Sequence, residues 1–336
     1  MGVQVPPNRR ILIGVALCSA ACVWFARGTF APAFFLAPLG IAAYCFSPAA
    51  AWAAAAAALG ANGVITMSGG DFSASGAISS LYFALVTLSF SWAAAPPGKG
   101  PSFLRVSAAV RMVMAAALTA AGLIPLLLAS DADSGIYAMM RSQAELVTSA
   151  YQSMLAPESL ESGALSGAIN ADLVLKVMSS VALRGGALAS AAFFFFINRQ
   201  AAVIVSWFFR RRAGRERLSF FHAPLRLIWV FSLSLLVIVA GTLFKRPYLE
   251  IPGWNLAVFC AILYLIQGGG IVLYFLARPE LPLLFRSLAN VLIVIVFLSP
   301  VVNGIALGVL TLLGIAENWI PFRVPRQNGP ASTPEG

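Results

Sequence analysis

Between Arg286 and Glu317 the chain runs for thirty residues without an acidic or basic side chain. As a helix rising about 1.5 Å per residue, this run is roughly 45 Å long, more than the ~30 Å hydrocarbon core of a bilayer. A chain with such a run is built to be solvated by lipid over at least part of its length. Pro300 and then Asn303-Gly304 interrupt the apolar segment 283–316. Proline disfavours helix in the residue before it and removes a backbone donor, while Asn and Gly supply turn chemistry. The segment therefore reads as a helical hairpin of two short spans, 283–299 and 303–317, with a single bent, strongly tilted helix as the alternative.

Composition extends this reading to the whole chain. Of 336 residues, 60% are hydrophobic and 10% charged, against about 25% charged in soluble domains. Further apolar windows fall at 11–26, 30–46, 48–67, 77–95, 106–129, 173–197, 226–244 and 254–277. The expected fold is all-α: a polytopic transmembrane helix bundle of about 8–10 spans with one external amphipathic helix. Ser47-Pro48 punctuates the early pair, and 49–61 is mostly alanine, which packs closely between helices but is weakly lipophilic.

The net charge of +10 has a membrane explanation in basic cytoplasmic loops. In a ten-span arrangement Arg9 and Arg10, Lys99 and Arg105, the 198–225 connection, Arg278 and Arg286, and Arg323 with Arg326 share one side. The other side carries Asp71 and the 130–172 connection, whose Asp131, Asp133, Glu145, Glu158, Glu161 and Asp172 face Arg141; Lys245 and Arg246 run against the pattern. The excess of Lys and Arg on one side predicts that both termini are cytoplasmic.

Residues 1–325 form one integral membrane domain on this reading. Within 130–172, Ile136, Met139, Met140, Leu146, Val147, Tyr151, Met154 and Leu155 recur at roughly helical intervals before Pro157. An amphipathic helix over about 134–155 follows, lying on the outer interface or closing over a site as a lid. In the inner connection 198–225, Arg210, Arg211, Arg212, Arg215 and Arg217 are expected to contact anionic lipid headgroups. No aromatic platform accompanies them, so nucleic acid is not the expected partner. The tail 326–336, rich in Pro, Gly and Ser, is expected to be disordered.

Catalytic material is sparse. His222 is the sole histidine, and there is no HExxH, phosphate-binding loop, GxSxG or paired intramembrane carboxylate, so no enzymatic activity, cofactor or metal is expected. Cys18, Cys22, Cys45 and Cys260 lie in apolar runs at no zinc-binding spacing and read as buried packing residues. Arg184, midway along 173–197 and followed by Gly185-Gly186, is the outstanding internal charge. A central arginine costs about 2.5–3.5 kcal/mol on the insertion scale and so faces the bundle interior or a wet cavity. Its partner is a ligand carboxylate or phosphate, or else helix carbonyls or an inner polar residue. Asp172 and Lys176, one turn apart, are expected to pair with each other. Gln267-Gly268-Gly269-Gly270 either permits close helix approach or marks a break exposing carbonyls, with Asn290 as the expected hydrogen-bond partner of Gln267. Ala16 and Ala20 offer a small-residue face to another helix.

Three stretches in the C-terminal half carry a resemblance. They are Phe221-His222-Ala223-Pro224-Leu225-Arg226-Leu227-Ile228-Trp229, then Tyr264-Leu265-Ile266-Gln267-Gly268 followed by Tyr274 to Arg278 and Leu281-Pro282, and Leu313 to Arg323. In order and content they resemble the YybS-like family of uncharacterised bacterial multi-pass membrane proteins, which usually has an aspartate where Glu317 stands. That family is distantly similar to the substrate-binding membrane subunits of vitamin-type energy-coupling transporters. The resemblance implies a transporter-like, small-molecule-binding membrane subunit without its own ATPase, docking a membrane partner subunit. Arg184, Gln267 and Asn290 are the candidate ligand residues. The alternative is a non-transporting membrane organiser or scaffold acting through protein or anionic-lipid contacts.

Overall fold

The computed structural model describes residues 7–28, 32–68, 74–94, 107–128, 135–154, 170–209, 221–278, 281–282 and 299–323, together with 284, 287–289, 291–292 and 295. Among these residues all regular structure is helical. The helices are α1 (Pro7–Arg27), α2 (Ala37–Cys45), α3 (Pro48–Ser68), α4 (Ala74–Ala94), α5 (Ala108–Leu128), α6 (Gly135–Met154), α7 (Ala171–Val181), α8 (Ala187–Phe208), α9 (Leu227–Leu243), α10 (Pro247–Leu276) and α11 (Pro300–Ala316). A wide turn, Ala182–Gly186, joins α7 to α8. Among the described residues five segments are long and apolar enough to cross a membrane: Arg9–Arg27, Pro48–Ser68, Gly76–Ala94, Ala171–Phe208 and Pro247–Leu276. The chain divides into two compact units, one of residues 1–215 and 232–259, the other of 216–231 and 260–336. The arginines 210, 211, 212, 215 and 217, the ligand candidate Asn290 and the tail 326–336 lie outside the described residues.

In the first unit α4 packs on α3 and α5, α5 on α8, and α2 on α1, α3 and α8. The core is made of Leu36, Leu39, Val86, Phe90, Val113 and Phe195, with the Phe90 and Phe195 rings edge to face at 5.5 Å. On α3, Ala50, Ala51, Ala54, Ala55 and Ala58 are buried, so the alanine run forms a close-packed seam. The apolar window 30–46 yields only the nine-residue α2, about 14 Å long and far short of a bilayer crossing. Asn198, fully buried on α8, fixes its entry. Its Oδ1 accepts from the Leu36 amide at 3.1 Å, and its Nδ2 donates to the Ala33 and Phe194 carbonyls at 2.8 and 2.9 Å. Arg27 ends α1 by donating to Asn62 Oδ1 at 3.1 Å and Thr66 Oγ1 at 2.8 Å on α3.

The amphipathic helix expected at 134–155 is present as α6, packed along α7. Its buried face holds Ala144 and Thr148, whereas Leu146 is exposed. Ala144 and Thr148 thus make the contact, while Leu146 and Val147 point away from it. Asp172 and Lys176 form no ion pair among the described residues. Asp172 instead sits in the first turn of α7, behind an N-cap in which Asn170 Oδ1 accepts from the Leu173 amide. Unpaired amides at a helix start attract a carboxylate there.

In the second unit the turn expected around Pro300–Asn303–Gly304 is displaced. Pro300 is the first residue of α11, Ser299 before it is extended (φ −82°, ψ 116°), and Asn303 and Gly304 are helical. A proline at the first helical position loses nothing, because that amide has no intrahelical acceptor. The described residues 284, 287–289, 291–292 and 295 are also helical, so Ser299 is the break.

The Gly268-Gly269-Gly270 segment stays helical and serves close approach. A Cβ on Gly268 would overlap the Leu310 carbonyl oxygen, and one on Gly314 would overlap the Tyr264 carbonyl oxygen. Helices α10 and α11 therefore touch backbone to backbone at two glycines. A Cβ on Gly269 would meet nothing within 4 Å. Gly268→Ala is expected to lower the thermal stability of the detergent-solubilised protein. Gly269→Ala should leave it unchanged or raise it by up to about 1 kcal/mol, the helix-propensity difference. Equal effects at the two positions in a thermal-unfolding series would refute the close-contact assignment.

Candidate functional site

The site in the first unit starts from a helical segment that is broken at Arg184. At 182–186 the backbone turns wide: the Ala187 amide reaches back to the Ala182 carbonyl rather than to that of Leu183. Arg184 (φ −90°, ψ 36°) and Gly185 (φ 101°, ψ −7°) leave helical geometry. The positive φ accounts for glycine at 185, and a Cβ there would also come within 2.6 Å of Val258. The freed Leu183 carbonyl accepts from Asn255 Nδ2 on α10 at 2.6 Å. Unpaired backbone polar groups cost several kcal/mol in hydrocarbon, so this side chain is what makes the break tolerable.

The break aims Arg184 at a carboxylate. Arg184 Nη2 donates to Glu250 Oε2 at 2.9 Å, and Thr242 Oγ1 donates to Glu250 Oε1 at 3.0 Å. Glu250 lies in the first turn of α10, where the helix dipole favours a negative charge. The α9–α10 turn brings it there. Lys245 takes the left-handed conformation (φ 53°), with the Arg246 amide bonded to the Gly241 carbonyl at 2.8 Å and the Lys245 amide to that of Thr242 at 3.2 Å. This is a Schellman motif with lysine in the place usual for glycine. Gly241 lets the Glu250 backbone approach, since a Cβ there would stand 2.9 Å from the Glu250 nitrogen. The pair is half open: the Arg184 side chain is 45% exposed and that of Glu250 16%. Of the guanidinium's five N–H donors one is taken by Glu250, which leaves capacity for a second, anionic partner.

Sequence reasoning had found Arg184 but not Glu250, Thr242 or Asn255. It began the span at 254, whereas α10 begins at Pro247. The legible signal was Pro247 followed three residues later by an acid, which marks a helix start.

Gln267 belongs to the second unit, in a closed network. Its Oε1 accepts from the Ala223 amide at 2.8 Å and its Nε2 donates to Glu317 Oε2 at 2.9 Å. These groups take up the amide that was expected to bond Asn290. Glu317 is also ion-paired with Arg323 through Nε and Nη2, and Arg323 Nη2 donates to the Phe221 carbonyl at 2.9 Å. His222 Nε2 stands 3.9 Å from Glu317 Oε1, with its ring more than half exposed. The Glu317 and Arg323 side chains are 3% and 2% exposed. The network ties the segment before α9 and the segment after α11 to the middle of α10. It brings together the three stretches singled out in the sequence, and it leaves Gln267 inaccessible to a ligand.

No protein-family model matches the chain, and neither a curated protein nor a solved structure matches it. The four cysteines are free thiols, and among the described residues no group of three His, Cys, Asp or Glu gathers as for a metal.

Removing one partner of a buried ion pair leaves the other charge uncompensated, at about 3–5 kcal/mol. Glu317→Ala and Arg323→Ala are each expected to destabilise by that order. Their double variant should cost clearly less than the sum, as a double-mutant cycle of chemical unfolding in detergent would show. Additive losses would mean that the two residues do not act as a pair.

Proposed function

We propose that the chain is a transporter-like membrane protein that binds a small anionic molecule at the Arg184 break. The observation that carries this reading is the helix interrupted at a half-exposed arginine, within a segment long and apolar enough to cross a membrane. Ionisable groups inside a span are expensive and persist where they serve a pathway or ligand. Discontinuous helices are the recurrent device by which membrane transporters present polar groups to a substrate. A guanidinium with free donors selects a carboxylate or a phosphate-like group, which it grips bidentately. Gln267, part of a closed network, is not included in this site.

The sidedness of the basic residues supports both termini being cytoplasmic, and the family resemblance supports placement in a bacterial inner membrane. The three C-terminal stretches support kinship with the YybS-like family. Lacking a nucleotide-binding motif in its sequence, the protein would draw energy from an ion gradient or from a partner subunit.

Acetate and sulfate are suitable probes, as the smallest carriers of the two headgroup shapes. A ligand at a hundred times its Kd adds about 2.7 kcal/mol to the stability of the state that binds it. At least one probe is expected to raise the melting temperature of the purified wild type at constant ionic strength. Arg184→Ala should insert normally and show no such rise. Stabilisation that survives in Arg184→Ala, or its absence with both probes in the wild type, would sink this reading.

A further inference from the structure

Resting on that reading, we propose that anion binding at Arg184 is coupled to the uptake of one proton by Glu250. The argument is one of charge balance. In the resting site a single guanidinium faces a single carboxylate at 2.9 Å, so the site is neutral. Among the described residues Arg184 is the one charged group in contact with Glu250. Thr242, from α9, contributes a neutral hydroxyl. Lys245 and Arg246 on the connecting turn and Tyr248 on α10 are exposed. On α7, Asp172 and Lys176 take part in no ion pair among the described residues.

An arriving anion either displaces Glu250 from the guanidinium or shares it. Both routes leave two negative groups against one positive one, in surroundings where an uncompensated charge is expensive. Two carboxylates confined to one site cannot both stay ionised at low cost. Glu250 is the group that can neutralise itself. A proton from bulk water bonds to the carboxylate oxygen that Arg184 releases, no electrons move, and with a monoanion such as acetate the site returns to neutrality. The Thr242 hydroxyl, shared between the Ile238 carbonyl and the other oxygen at 3.0 Å each, stays in place, and the new O–H is a donor placed where the guanidinium had been. An anion would then enter together with one proton, which supplies a coupling ion without a further ion site.

The test is titration calorimetry of the purified protein with acetate or sulfate, neither of which changes its own protonation near neutral pH. Repeating each titration in buffers of different ionisation enthalpy counts the protons taken up. The wild type is expected to take up about one proton per acetate bound, with affinity falling about tenfold per pH unit as pH rises. Glu250→Gln, a mimic of the protonated acid, should bind more tightly than the wild type at neutral and higher pH, with no proton uptake and no pH dependence. Anion binding by the wild type without proton uptake overturns the coupling and leaves the binding site standing, as does dependence on added Na⁺ in place of pH. Proton uptake that persists in Glu250→Gln places the proton elsewhere and also overturns it. If Glu250→Gln fails to fold, the wild-type proton count and pH dependence still decide. Failure of both probes to bind the wild type refutes the underlying reading instead.

Discussion

A carbonyl released inside a membrane-length helix has no water to turn to, and the first unit is organised around one such group. The wide turn at 182–186 frees the Leu183 oxygen, and Asn255 takes it at 2.6 Å. Three features follow from that bond. Helix α10 has to lie alongside the break, so Gly185 gives way to Val258. The same alignment sets Glu250, just over one turn before Asn255, opposite Arg184. The tight α9–α10 turn, closed by Lys245 in a left-handed conformation and by the small Gly241, then keeps α9 near enough for Thr242 to reach the carboxylate. The break, the ion pair and the turn thus share one set of contacts.

The second unit meets the same lack of water differently. Glu317 accepts from two nitrogens of Arg323 and from the Gln267 amide, with the His222 ring 3.9 Å away. With both charges almost wholly covered, nothing can exchange without dismantling the fold. A buried pair replaced by apolar groups of similar volume is often no less stable, so pairs of this kind are weak evidence for stability as such. Here the network fixes register. It joins chain segments far apart in sequence, while the backbone contact at Gly268 and Gly314 sets how closely α10 and α11 approach. Polarity around Glu317 therefore determines packing, whereas the Arg184–Glu250 pair of the first unit stays half exposed.

Much of the fold was legible because lipid imposes long apolar runs, and those runs survive as α1, α3, α4, α5, α9 and α10. Element ends were less so. The apolar window 30–46 contains only a nine-residue helix, since hydropathy does not separate a short buried helix from a span. Pro300 was read as the centre of a turn, yet it opens α11; both roles are compatible with proline, and the neighbouring backbone decides between them. The Arg184 site was half visible. A lone arginine in an apolar run announces that a partner exists, but the partner sixty-six residues away depends on where α10 begins and on how α9 turns into it. Gln267 was conspicuous for the same reason as Arg184, and the two differ only in what covers them, which composition cannot express.

Exposure is what separates a lock from a binding site among charged pairs in a membrane. A fully covered pair such as Glu317–Arg323 holds its energy in fixed contacts, and admitting a third charge would require opening the packing around it. A half-open pair such as Arg184–Glu250 has already met the cost of the charged side chain and still offers unused donors on its exposed side. Its neutrality is then a condition on anything that enters: an anion must bring a positive charge with it, or an existing negative charge must be cancelled. With Arg184 the one charged contact of Glu250 and no second carboxylate in contact with Arg184 among the described residues, the acid itself is the element through which that condition can be met.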